Sequence, residues 1–77
     1  MSYIALDTVV LTHDLSDQGL RAGDLGAIVA IYPPAGLEVE FVTASGRTSA
    51  LVTLDASDVR PIADTDLVAV RSLGHTA

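Results

Sequence analysis

A chain of 77 residues with ten carboxylates, four arginines and no lysine carries a formal charge of −6, while nearly half of its residues are apolar. That is enough aliphatic side chain for one small core and too much for a disordered chain. The charge opposes capture by nucleic acid or anionic membrane, which needs clustered Lys and Arg, and the lack of cysteine excludes disulfides, thiolate nucleophiles and Cys-held metals.

In chain order, Asp7 to Thr12 is β-branched and apolar on both parities, which predicts a strand buried on most of its surface. The polar stretch from His13 to Asp24 reads as a loop, pinned to the core by Leu15 and Leu20. Leu25 to Tyr32 reads as the second strand, with Gly23 and Gly26 allowing a sharp entry and a close backbone approach. Pro33-Pro34-Ala35-Gly36 ends it, because proline has no amide proton for a ladder and glycine accepts a turn conformation.

Leu37, Val39 and Phe41 then alternate with Glu38 and Glu40, the pattern of a strand with one face in the core and one in water. Ser45-Gly46 marks a hairpin tip, and Thr48 to Leu54 returns as the antiparallel partner. Asp55 is placed to cap a single 3₁₀ turn over Asp55 to Asp58, followed by a short edge strand from Val59 to Ile62 that contains Pro61. Leu67 to Arg71 reads as an additional strand and Gly74 to Ala77 as a flexible tail, so one domain is expected over residues 1–73.

No apolar run keeps helical spacing for three turns. The order strand, long loop, strand, hairpin, 3₁₀ turn, short strand is that of an all-β, small SH3-like barrel of five or six antiparallel strands, whose closure would hide most strand edges. No window nears the ~20 apolar residues that span a bilayer, and Met1 to Ile4 lack the basic region of a secretion signal, so a cytoplasmic location is expected.

Leu6 to Leu11, Gly19-Leu20-Arg21-Ala22-Gly23-Asp24-Leu25-Gly26-Ala27-Ile28-Val29, Val39-Glu40-Phe41 and Leu54-Asp55-Ala56-Ser57-Asp58-Val59-Arg60-Pro61 together resemble a small bacterial family, domain of unknown function DUF4926. The resemblance runs over nearly the whole chain and rests on the joint spacing of Gly-x-x-x-Gly-Asp-x-Gly and Asp-Val-Arg-Pro. It implies a stand-alone SH3-like bacterial protein and carries over no functional residues. The Gly23 to Val29 segment is also similar to the turn and strand of ribosome-associated KOW modules and of the barrel in nitrile hydratase β subunits, a likeness of architecture only.

Candidate chemistry is sparse. His13, Asp14 and Asp17 combine an imidazole with carboxylates, but their spacing fits no metal-ligand pattern and reads as a solvated loop. Glu38 and Glu40 share one face of a strand, where neither would be desolvated enough to serve as an acid in a glycosidase-like pair. The serines lack a nucleophile elbow, and the glycines around Asp24 lack the lysine and following helix of a phosphate loop. Three aromatics, Tyr3, Tyr32 and Phe41, are too few to build a shelf for proline-rich peptides.

The expectation is therefore a noncatalytic protein-interaction module without cofactor or metal, antitoxin-like or accessory to the product of a neighbouring gene. It would take a protein partner of basic character on a surface that includes His13, Asp14, Asp17, Glu38 and Glu40. A homodimer through the terminal strand is a further expectation. The alternative is a KOW-like nucleic-acid module using Arg21, Arg47 and Arg60.

Overall fold

The computed structural model describes residues 2–74. Five strands form one antiparallel sheet: β1 (Thr8–Leu11), β2 (Leu25–Tyr32), β3 (Gly36–Val42), β4 (Thr48–Asp55) and β5 (Val59–Pro61). Their order across the sheet is β4-β3-β2-β1-β5. One 3₁₀ turn (Ser16–Gln18) lies inside the β1–β2 loop and a second (Ala56–Asp58) joins β4 to β5. The all-β, five-stranded antiparallel expectation holds. The ladder stays open, however, since β4 and β5 are the two ends of the order and do not pair with each other. Closure therefore does not hide those two edges.

Among the described residues no α-helix or second sheet covers this sheet, so it must curve round its own apolar face. Side chains from all five strands, among them Val9, Leu11, Ile28, Leu37, Val39, Phe41, Ala50, Leu54 and Val59, meet in one buried cluster. Val9, Ile28 and Val39 are 0% exposed, which a flat single layer could not achieve. Each such side chain contributes about 1.5–3 kcal/mol on burial. Leu20 joins the cluster from the β1–β2 loop and Leu15 packs against it. Amide to carbonyl bonds in both directions link these two leucines and hold the loop down.

Two glycines do the work the sequence assigns to them. Gly23 has φ of +94°, which turns the chain into β2. Gly26 faces the core, where an added Cβ would lie 2.5 Å from Val39 Cγ1 and 2.9 Å from Phe41 Cε2. The β2–β3 ladder is irregular between Ile28 and Ala30. The Pro33-Pro34 bond in the β2–β3 turn is cis.

The strand expected over Leu67 to Arg71 does not form. Residues 67–73 make no backbone hydrogen bond to another backbone group among the described residues. Side chains hold the segment instead. Arg60 makes two bonds of 2.9 Å to the carboxylate of Asp66 at its start. At its end Arg71 grips Asp24 through Nε at 3.0 Å and a terminal nitrogen at 2.6 Å. In register, Arg60 and Leu25 flank Val10 on opposite sides, and Asp24 immediately precedes Leu25, so the two anchors stand on opposite sides of β1, one residue out of row. Apart from Gly74, the expected tail lies outside the described residues, as does His75.

Candidate partner-binding surfaces

The residues expected at a binding surface fall into two groups. His13 leaves the end of β1, and its ring points at the second 3₁₀ turn. Nε2 donates to Asp58 Oδ1 at 2.8 Å and Nδ1 donates to the carbonyl of Asp14 at 3.1 Å. Both partners are acceptors only, so both bonds form together only when the ring carries two protons. The side-chain bond to Asp58, followed by that to the Asp14 carbonyl, accordingly holds the His13 pKa above its ordinary value.

Asp58 is the hub of this end of the molecule. Its carbonyl accepts from both the amide and the hydroxyl of Thr12, at 3.0 and 2.8 Å. Its Oδ2 accepts from the amide of Asp55 at 2.9 Å, while Asp55 Oδ2 accepts from the Ser57 amide at 2.9 Å. These reciprocal bonds satisfy donors at the start of a turn, and the Ser57 hydroxyl and amide lower the Asp55 pKa. The sequence marks Asp55 as a cap but gives no hint that Asp58 also clasps His13, because the two are 45 residues apart.

Asp14 and Asp17 do not join the histidine as a cluster. Asp14 Oδ1 accepts from the amide of Ala22 at 2.9 Å, which braces the loop, and Asp17 belongs to the first 3₁₀ turn. Among the described residues no three His, Cys, Asp or Glu side chains are grouped to hold a metal ion.

Glu38 and Glu40 lie on the outer face of β3. Glu38 accepts from the hydroxyl of Thr53 and Glu40 from that of Thr48, both on β4. Their cross-strand neighbours Thr53 and Leu51 share that face. Leu51 and Val42 are 55% and 54% exposed there, and β2, β3 and β4 contain no cationic residue.

A third surface arises from the C-terminal segment, which forms one wall of an open groove of about 600 Å³. Leu25, Phe41, Val42 and Leu20 line the other wall, with the Asp24–Arg71 pair at its rim. Burial pushes the Asp24 pKa up, but the hydrogen bonds from Arg71 and the Arg21 amide outweigh it and hold the group below its ordinary value. Leu67 and Val70 stand almost fully in solvent.

The arginines do not form a stripe. Arg21 lies in the β1–β2 loop and Arg47 beside the β3–β4 hairpin tip, while Arg60 and Arg71 are committed to Asp66 and Asp24. No helix among the described residues is long and apolar enough to cross a membrane.

A family model described as a domain of unknown function (DUF4926) matches residues 5–61, which takes in all five strands and leaves the C-terminal segment outside. No curated protein and no solved structure matches the chain.

Proposed function

The chain belongs to the DUF4926 family, and from that premise we propose that it is a noncatalytic module that binds a basic protein partner in the cytoplasm. The observation that carries this reading is the distribution of charge. Of the four arginines, Arg60 and Arg71 are spent on internal carboxylates. The Glu38 and Glu40 face and the Asp14, Asp17 and Asp55 end therefore present a largely acidic exterior, with Arg21 and Arg47 the arginines that no carboxylate pairs among the described residues. Such a surface attracts a cationic partner at long range and raises its rate of encounter.

An accessory or antitoxin-like role beside the product of a neighbouring gene fits a small body of this charge. The test is affinity purification from the native host at about 50 and 300 mM salt, with the tagged parent chain beside Glu38→Gln/Glu40→Gln and Asp14→Asn/Asp17→Asn variants. A stoichiometric basic protein that is held more weakly at the higher salt and by one of the two variants supports the reading. Recovery of no stoichiometric protein at either salt, or equal recovery by all three chains, overturns it.

A further inference from the structure

The Asp24–Arg71 clasp joins two unequal partners. The carboxylate side is fixed by the fold. The Asp24 carbonyl accepts from the Leu11 amide on β1 at 2.9 Å, and its amide donates to the Arg21 carbonyl at 3.0 Å. Its Oδ2 also accepts from the Arg21 amide at 2.8 Å, which orients the carboxylate from within the β1–β2 loop. The carbonyl of Gly19, the left-handed residue that closes the first 3₁₀ turn, lies 3.2 Å from the same terminal nitrogen of Arg71 that Oδ2 holds. The arginine side has no such support. Residues 67–73 make no backbone hydrogen bond to another backbone group among the described residues. Leu67, Val68 and Val70 are 95%, 74% and 102% exposed, so the segment crosses the groove without packing into it.

We infer that Asp24, the Gly19 carbonyl and the groove wall of Leu25, Phe41 and Val42 form a receptor site for an arginine flanked by aliphatic residues in an extended peptide, and that the chain's own C-terminal segment occupies this site as a displaceable, autoinhibitory ligand. The acceptors are held in place before the ligand arrives, which lowers the cost of binding.

Three features name the ligand. Arg71 Nε and one terminal nitrogen meet the two carboxylate oxygens side by side at 3.0 and 2.6 Å, a planar fork that a guanidinium matches and an ammonium does not. Val68, Ala69 and Val70 before the arginine and Leu73 after it line the groove, so the flanking side chains are aliphatic. The Asp24 side chain is only 18% exposed, and a half-buried carboxylate that loses its cation favours taking another. Arg60 holds Asp66 at the near end of the segment. A released segment therefore stays beside the site and competes with a partner at an effective concentration of order millimolar.

Binding here is a specific form of the basic-partner reading, and because its test uses no host protein it succeeds or fails independently of the affinity purification. The probe is a blocked synthetic peptide, Leu-Val-Ala-Val-Arg-Ser-Leu, the sequence of residues 67–73, titrated by amide NMR to about 5 mM, the range in which a tethered copy competes. The full chain carrying Arg71→Ala should keep the circular dichroism of the parent and show saturable peptide-induced shifts at Gly19, Asp24, Leu25 and Val42. The parent should bind at least about threefold more weakly, because its own segment fills the site. Adding Asp24→Asn to the Arg71→Ala chain, or replacing the peptide's arginine with lysine, should weaken binding by at least about threefold as well. An Arg71→Ala chain that unfolds, as it would if the segment belonged to the core, overturns the inference. So does the absence of saturable shifts in that chain, equal affinity in parent and variant, or binding indifferent to Asp24→Asn or to lysine.

Discussion

Gly26→Ala tests the packing at its tightest point. The added methyl would sit 2.5 Å from Val39 Cγ1, 2.9 Å from Phe41 Cε2 and 3.2 Å from Phe41 Cδ2, against a comfortable carbon–carbon separation of about 3.5–4.0 Å. About 1 Å of displacement is needed. Val39 cannot supply it by rotation, because a β-branched side chain is stiff about χ1 and this one is fully buried on a strand paired on both sides. Overpacking of this kind costs about 1–3 kcal/mol, while replacing glycine returns about 0.4–1 kcal/mol by restricting the unfolded chain. The net effect is a loss of about 1–2 kcal/mol. For a domain of this size each kcal/mol lowers Tm by roughly 4–8 °C, so thermal unfolding followed by circular dichroism should show a drop of roughly 5–15 °C. In a Val39→Ala background the nearest clashing atom is gone, and Gly26→Ala should then cost at least about 1 kcal/mol less. A Gly26→Ala chain as stable as its parent, or a cost unchanged by Val39→Ala, would refute the close approach of β2 and β3.

Leu20→Ala removes a buried loop side chain and should cost about 2–4 kcal/mol, measured by urea unfolding; a cost below about 1 kcal/mol would mean that the β1–β2 loop is not part of the core. His13 has a raised pKa, so its bond to Asp58 stabilises the fold fully below pH 6.5 and is lost as pH rises through the folded value. An NMR titration should put its midpoint above 6.5, and Asp58→Asn should bring it down. Asp66 is held at about 2, first by the Arg60 hydrogen bonds and then by the Ala63 amide. Its contribution is present above the ordinary carboxylate value and is lost as pH falls from 3.8 towards about 2. In Arg60→Gln the carboxyl titration of Asp66 should move back towards 3.8; an unmoved titration would show that Arg60 does not hold it.

The strands were legible wherever an apolar run had its own local reason to be extended. Leu37, Val39 and Phe41 alternate with glutamates, Leu25 to Tyr32 is aliphatic and bounded by glycine and proline, and Asp55 announces the turn that follows it. Leu67 to Arg71 has the same β-forming composition and yet forms no strand. Composition states only a preference, and a strand also needs a neighbouring backbone to pair with. Here Arg71 and Asp66 tie the segment to Asp24 and Arg60 by side chains instead, leaving its backbone without a ladder.

The surface residues divide in the same way. That Glu38 and Glu40 share an outer face follows from a period of two, which is local and written in the sequence. That His13 belongs with Asp58, rather than with Asp14 and Asp17 beside it, depends on β1 and β5 lying side by side across the sheet. The sequence by itself determined where the five strands run, the inward face of β3 and the acidic net charge, because these follow from periodicity and composition, but it equally allowed a sixth strand at Leu67 to Arg71 that does not form. Only the tertiary structure decided which edges stay open and which ion pairs form, since both depend on contacts between segments far apart in the chain.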